Sequence, residues 1–280
     1  MDRKAPMKPK WIIEDFAEEN RFGDLAEEVK RQDMECEVIK YTPFQSGSYD
    51  VFGNDGCVIF QGSIEFAVRL QREKAWIPGP WLTAKNYECT TYYAHLGKYL
   101  FNDRYTIMPR AEVARKFNSM YDSYFGNMES LFFRPNSGLK PFRAGVYNRL
   151  QFPSFWGWVD EYTKPDDLVI ISTPKNIKGE WRFMCANHRI ITGCRYEWEG
   201  NVSFESGYDA GAKVLADQIA LEEFEPDPMY IIDICQADDD KFYLMEINSF
   251  SCGGLYAMEM EPIVKSATEL AVKDWEKYHV

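Results

Sequence analysis

Histidine is scarce in this chain: His95, His188 and His279 are the only three in 280 residues. That leaves little material for a multi-histidine metal centre or for a hydrolase built on a histidine base. The seven cysteines, Cys36, Cys57, Cys89, Cys185, Cys194, Cys235 and Cys252, are odd in number and scattered, with no CxxC pair to suggest a zinc or redox site. Reduced thiols in a cytosolic protein are the expected state. Excess positive charge is missing too. The net charge of −12 supplies no global basic field, so bulk nucleic-acid binding is not expected, although a local basic groove is still allowed. No segment approaches the roughly 18 apolar residues that span a bilayer, so no membrane partner is expected. The opening stretch "MDRKAPMKPKWIIEDF" lacks the apolar core, roughly 7 to 15 residues, of a secretory signal, and the expected location is cytoplasmic. There is no GxxxxGK phosphate loop, internal repeat or low-complexity tract.

What is present is a folded, enzyme-sized composition: 45% hydrophobic, 16% aromatic and 27% charged residues, enough for one large or two medium domains. "KWIIEDF", "ENRFGDLAEEVKRQDME" and "CEVIKYTPF" predict strand, helix, strand. A further strand at Val58 to Phe60 runs through the turn Gly62-Ser63 into a helix that begins near Ile64. That turn fits either a ligand met by backbone amides or a plain structural cap. The prolines of "WIPGPW" end this α/β unit. A tyrosine-rich helix, the extended "YTIMP" and a helix after Pro109 follow, with a domain boundary expected near residue 105. Residues 106–280 predict a mostly antiparallel sheet, a helix over 209–221 and a closing helix over 262–278.

The chemistry gathers in the second part. "YLMEINSFSCGGLY" places Glu246 and Asn248 two residues apart, hence on one face of a strand. "PMYIIDICQADDDKFYLMEIN" predicts a hairpin of 229–236 with 241–248. It would bring Asp233, which sits among isoleucines, into register with Glu246. A buried carboxylate needs a partner, and a shared magnesium ion would serve. A strand with one polar face toward solvent explains the same alternation.

Cations accompany these acids. Arg134 and Lys140 flank the turn "PNSG", where a phosphate or plain solvent could sit. If 180–186 and 189–196 pair across "ANHR", Arg182 and Arg195 lie near each other on adjacent strands. Their partner is then either an anionic ligand or an internal carboxylate such as Glu180 or Glu197. The apolar strand 168–172, ending in "STP", offers main-chain groups to an adenine edge.

In this order, "RPNSGLK", "VIISTP", "EWRF…ITGCRY" and "DIC…MEIN" resemble the ATP-grasp superfamily. More narrowly they resemble its clade named for two arginines and one lysine, with its "FRP.SG.K", "EWR" and "E.N....GLY" segments. The resemblance covers residues 106–280. It implies an α+β fold in which two α+β subdomains clamp ATP, preceded by a small α/β pre-ATP-grasp domain at residues 1–105. It also implies an ATP-dependent carboxylate-amine ligase that works through an acyl phosphate and releases ADP and phosphate. The alternative is an ATP-binding module used in protein interaction or assembly without turnover. Carried over to this sequence, ATP is held by Arg134, Lys140, Ile171, Ser172, Glu180 and Arg182. Arg182 and Arg195 are catalytic, and Asp233, Glu246 and Asn248 hold magnesium. The implied partners are small-molecule or peptide carboxylates and amines, with a homo-oligomer open. Two features depart from the pattern: the hinge carries no acidic residue at 170–173, and the glycine-rich loop is reduced to Gly138.

Overall fold

The computed structural model describes residues 7–16, 21–42 and 51–279. Strand β1 (Lys10–Glu14), helix α1 (Phe22–Arg31), β2 (Cys36–Ile39), β3 (Asp55–Gln61), α2 (Ile64–Glu73) and β4 (Ala75–Gly79) form a parallel sheet in the order β2-β1-β3-β4. Helix α1 forms because Phe22, Leu25, Ala26 and Val29 recur at helical spacing and bury one stripe. The predicted strand-helix-strand unit is there, although Glu19, Asn20, Pro43 and Phe44 at its edges lie outside the described residues.

The chain then passes through α3 (Cys89–Leu96) into an antiparallel sheet ordered β5-β8-β6-β7, made of β5 (Tyr105–Pro109), β6 (Ser130–Pro135), β7 (Gly145–Asn148) and β8 (Leu168–Ser172). Helices α4 (Arg110–Arg115), α5 (Phe117–Ser119) and α6 (Phe152–Tyr162) lie between these strands in sequence. A second antiparallel sheet, ordered β11-β10-β9-β12-β13, contains β9 (Ile177–Ala186), β10 (Arg189–Trp198), β11 (Asn201–Ser206), β12 (Met229–Ala237) and β13 (Phe242–Ser249). Helix α7 (Ala210–Ala220) packs on one face of it through Ala212, Ala216 and Ile219, and α8 (Met260–His279) packs against the other. This last helix starts at Met260, slightly ahead of the expected position. Among the described residues no helix is long and apolar enough to cross a membrane.

The sheets change from parallel to antiparallel at residue 105, but the packing crosses that point. One buried cluster joins Ile12, Phe60 and Tyr92 to Trp181, Ile234 and Leu244, and Leu100 bridges to Leu244 of β13. A second joins Trp11 and Leu25 to Phe250, Leu255 and α8.

The "SFSCGG" turn after β13 is the rivet between the sheets. The Gly62 N–H donates to the Ser251 carbonyl at 2.8 Å, Gln61 Nε2 donates to the Gly253 carbonyl at 2.7 Å, and the Trp81 N–H donates to Ser251 Oγ at 2.9 Å. Gly253 is required there, because a Cβ would lie 2.2 Å from Ile231 Cδ1 and 3.0 Å from the Ser249 carbonyl. Phe250, fully buried, meets Trp11 edge-on at 6.4 Å and Trp81 at 5.9 Å. Phe250→Ala is therefore expected to cost about 3–5 kcal/mol of unfolding free energy, the range for emptying a buried aromatic site. Urea denaturation measures it, and a loss below about 1 kcal/mol would show that the turn does not bind the sheets together.

Candidate active site

Register builds the site. Asp233 on β12 lies directly opposite Arg182 on β9 and directly opposite Glu246 on β13. Directly opposed residues share a face, so the three form one row across the sheet. The predicted Asp233–Glu246 pairing is the one observed.

Arg182 grips Asp233 in a fork, Nε to Oδ1 at 2.8 Å and Nη2 to Oδ2 at 2.7 Å, while its Nη1 donates to the Gly254 carbonyl at 3.0 Å. The guanidinium lies 4.7 Å from the Tyr256 ring centre and 5.4 Å from that of Tyr196. Both partners are buried, so the pair is ionised only because each holds the other. Asn248 Nδ2 donates to Asp233 Oδ2 and to Glu246 Oε1, both at 2.9 Å.

The other antiparallel sheet supplies the remaining cations. Arg134 Nη2 donates to Glu246 Oε2 at 2.9 Å and Lys140 Nζ to Glu246 Oε1 at 3.1 Å. Burial works to raise the Glu246 carboxyl, but Lys140 and Arg134 outweigh it and hold the group well below the ordinary carboxylate range. Arg134 and Lys140 reach this place because the loop between them is fastened. Asn136 accepts from the Thr90 N–H through Oδ1 at 2.8 Å and from the Cys89 N–H through its carbonyl at 2.9 Å, which satisfies the start of α3. Gly138 passes so close to Tyr87 that a Cβ would lie 2.5 Å from the tyrosine Cβ. A cleft opens here, lined by Arg134, Gly138, Lys140, Asn248, Tyr87 and Ile64 among others.

The remaining expected residues divide. Ser172 is fully buried and its hydroxyl donates to Asn102 Oδ1 at 3.2 Å, while the Ile171 side chain packs with Phe133 in the core of its own sheet and its main chain is flanked by Thr106 of β5 and Phe133 of β6. Glu180 lies on the Arg182 face, accepts from the Tyr196 hydroxyl, and is pushed up to about 7, chiefly by burial. Arg195 does not join the others. Arg182 opposes Cys194, so Arg195 opposes Trp181 and points to the other face. There it packs 5.1 Å from the Trp198 ring and pairs with Glu205. The two arginines do stand on adjacent paired strands as expected, but one residue of register turns their side chains to opposite faces. The arginines and lysine that do converge are Arg134, Arg182 and Lys140. Ser63 is a plain cap, its Oγ accepting from the Phe66 N–H.

Several residues at the site have no role assigned from the sequence, although three of them stand inside the quoted segments: Tyr196 and Tyr256 around Arg182, Asn136, and Tyr92 and Tyr93 of α3. Of these, the run of tyrosines in α3 is visible as a run, without a role. Among the described residues no three His, Cys, Asp or Glu side chains form a metal cage. The donor set of two carboxylates and one amide still suits magnesium, which typically takes one or two carboxylates and leaves its other positions to phosphates and water. Carboxylate oxygens also keep a second lone pair beside a hydrogen bond.

A family profile for an ATP-grasp domain, family 3 of the clade named for two arginines and one lysine, matches residues 69–268. No curated protein matches the sequence. Among solved structures, the chain is similar to the D-cycloserine synthetase DcsG, with a TM-score of 0.62, 13% identity, and 93% of this chain and 99% of that one covered. It is also similar to a D-alanine–D-alanine ligase from Bacillus anthracis, with a TM-score of 0.58, 13% identity, and 98% and 100% covered. A third is the ATP-grasp ligase PsnB complexed with a minimal precursor, with a TM-score of 0.53, 10% identity, and 93% and 99% covered. At these identities the structures establish the fold alone.

The buried Glu180 yields a pH test. Its folded pKa, about 7, lies above the ordinary value of 4.5, so the folded state keeps a proton that the unfolded chain has lost between those pH values. Stability from this group is present below pH 4.5 and falls as pH rises to about 7, by roughly 3 kcal/mol at ~1.4 kcal/mol per unit. Glu180→Gln should remove that fall. Denaturation of both proteins at about pH 4.5 and about pH 7.5 measures it, and parallel pH profiles would contradict the assignment.

Proposed function

Because the chain belongs to the ATP-grasp superfamily, in its clade of two arginines and one lysine, we propose that this ATP-dependent ligase joins a carboxylate to an amine through an acyl phosphate, with release of ADP and phosphate. The convergence of Arg134, Lys140 and Arg182 on Asp233 and Glu246 carries this reading. Phosphoryl transfer is catalysed mainly by positioning and by cations around the moving oxygens, which suits a site rich in arginine and poor in histidine.

Arg134 and Lys140 bind the triphosphate, with the end of β8 at Ile171 and Ser172 toward the adenine and Glu180 beside the nucleotide. Arg182 orients Asp233 and adds positive charge where the phosphoryl group is transferred. A carboxylate oxygen of the substrate attacks the γ-phosphorus as the bond to the ADP oxygen breaks. The amine nitrogen then attacks the acyl carbon, phosphate leaves, and the nitrogen loses a proton to solvent. Asp233, Glu246 and Asn248 would hold magnesium, which supplies charge neutralisation at the phosphate oxygens. Arg195 points to the opposite face of the sheet from Arg182, and its place with Glu205 suits a structural role in place of the catalytic one expected from the sequence.

With this reading go a preceding domain over residues 1–105, a clamp over 106–280, and a cytoplasmic setting. The amino-acid ligase and the precursor-bound ligase among the similar structures support an amino acid or peptide as the substrate class.

The test is ATP turnover with magnesium and pooled amino acids, peptides and small carboxylates, with ADP resolved from AMP, for the wild type and Glu246→Gln. Substrate-dependent ADP release should fall by about 100-fold or more in the variant. AMP as the product, or equal rates in the two proteins, would overturn the proposal. No turnover from a protein that binds ATP would favour a binding module.

A further inference from the structure

Two polar atoms beside the phosphate-side cations have no hydrogen-bond partner: Arg134 Nε and the hydroxyl of Tyr93, both buried. They meet on one face of the sheet: Tyr93 packs on Tyr105, which opposes Ser172, while Arg134 opposes Ile170 two residues along β8, and Ile170 shares a buried cluster with Tyr92 and Tyr93. Two polar groups of α3 stand near Tyr93. The Cys89 thiol and the Tyr92 hydroxyl meet each other at 3.7 Å, and the thiol also lies 3.7 Å from the Pro135 carbonyl. The Tyr93 ring itself is fixed, edge-on to Tyr92 at 4.9 Å and to Tyr105 of β5 at 5.0 Å. Tyr105 in turn pairs with Ser172 on β8. A rigid ring with an idle hydroxyl therefore stands next to a guanidinium whose Nη2 is spent on Glu246 and whose Nε is idle.

An unpaired buried donor costs free energy in the state that leaves it unpaired, and its use in another state of the protein accounts for its being there. We propose that Tyr93 is a positioning residue for nucleotide phosphate. When the triphosphate draws Arg134 away from Glu246, Arg134 Nε donates to the Tyr93 hydroxyl, which fixes the guanidinium for the phosphate and leaves Glu246 free. The inference rests on the proposed ATP site but concerns α3, which lies before both antiparallel sheets and outside the 106–280 clamp. The same helix anchors the phosphate loop through Asn136, so α3 sets both the loop and its arginine.

The experiment measures binding of ATP and of adenosine, with magnesium, by calorimetry, together with the melting temperature of the free protein, for wild type, Tyr93→Phe, Arg134→Lys and the double variant. Tyr93→Phe should weaken ATP binding about 5- to 10-fold and leave adenosine binding unchanged. Its melting temperature without ligand should be equal to or above wild type, because the lost hydroxyl had no partner. Lysine has no Nε–H of this kind, so in the Arg134→Lys background Tyr93→Phe should add nothing to the loss. A merely structural tyrosine would instead lower the melting temperature and weaken both ligands alike, which overturns the proposal. Unchanged ATP affinity in Tyr93→Phe, or full additivity in the double variant, overturns it as well. If the wild type itself does not bind ATP, the function proposed above fails, and that outcome is distinguishable from these.

Discussion

Two carboxylates stand side by side on one face of the second antiparallel sheet, and the structure around them answers the cost of placing them there. Asp233 is almost fully buried, and the Glu246 side chain is only 22% exposed. In a low-dielectric setting two adjacent negative charges would not both persist without opposing charge. Arg182 satisfies the first from within the sheet, and Arg134 with Lys140 satisfies the second from the other sheet. Asn248 ties the two acids together. The result is a cluster whose inner half is fixed and whose outer half belongs to a separate structural unit, so an anionic ligand can compete for the outer cations without dismantling the inner pair.

That division explains features otherwise unrelated. The turn after β13 is riveted to the parallel sheet through Gly62, Gln61 and Trp81, and it presents the Gly254 carbonyl to the third donor of Arg182. The loop carrying Lys140 is fastened to the start of α3 through Asn136. Both anchors come from residues before 105. The preceding α/β unit therefore buttresses the site as well as flanking it, consistent with buried clusters that run across the boundary.

Much of this is legible in the sequence because it follows from alternation and spacing. Asp233, Glu246 and Asn248 can be placed on one face from the period of two and the length of the hairpin, and the register agrees. Arg134 and Lys140 are legible as cations flanking a turn. Arg195 is misplaced by the sequence reading because adjacency on neighbouring strands says nothing about face. Arg182 opposes Cys194, so alternation turns Arg195 to the other face and returns Tyr196 to the Arg182 side. The α3 tyrosines and Tyr256 are visible in the sequence without a role, since only tertiary packing brings them to the arginines.

The central claim is that Glu246 and the phosphate-side cations form one site, occupied by each other when empty and by metal and nucleotide when loaded. Calorimetric titration of ATP with magnesium and with EDTA, for wild type and Glu246→Gln, tests it most directly. The account predicts that EDTA weakens ATP binding to the wild type by about tenfold or more, and that the variant binds ATP equally with or without magnesium. A variant that keeps the full magnesium dependence of the wild type would contradict it.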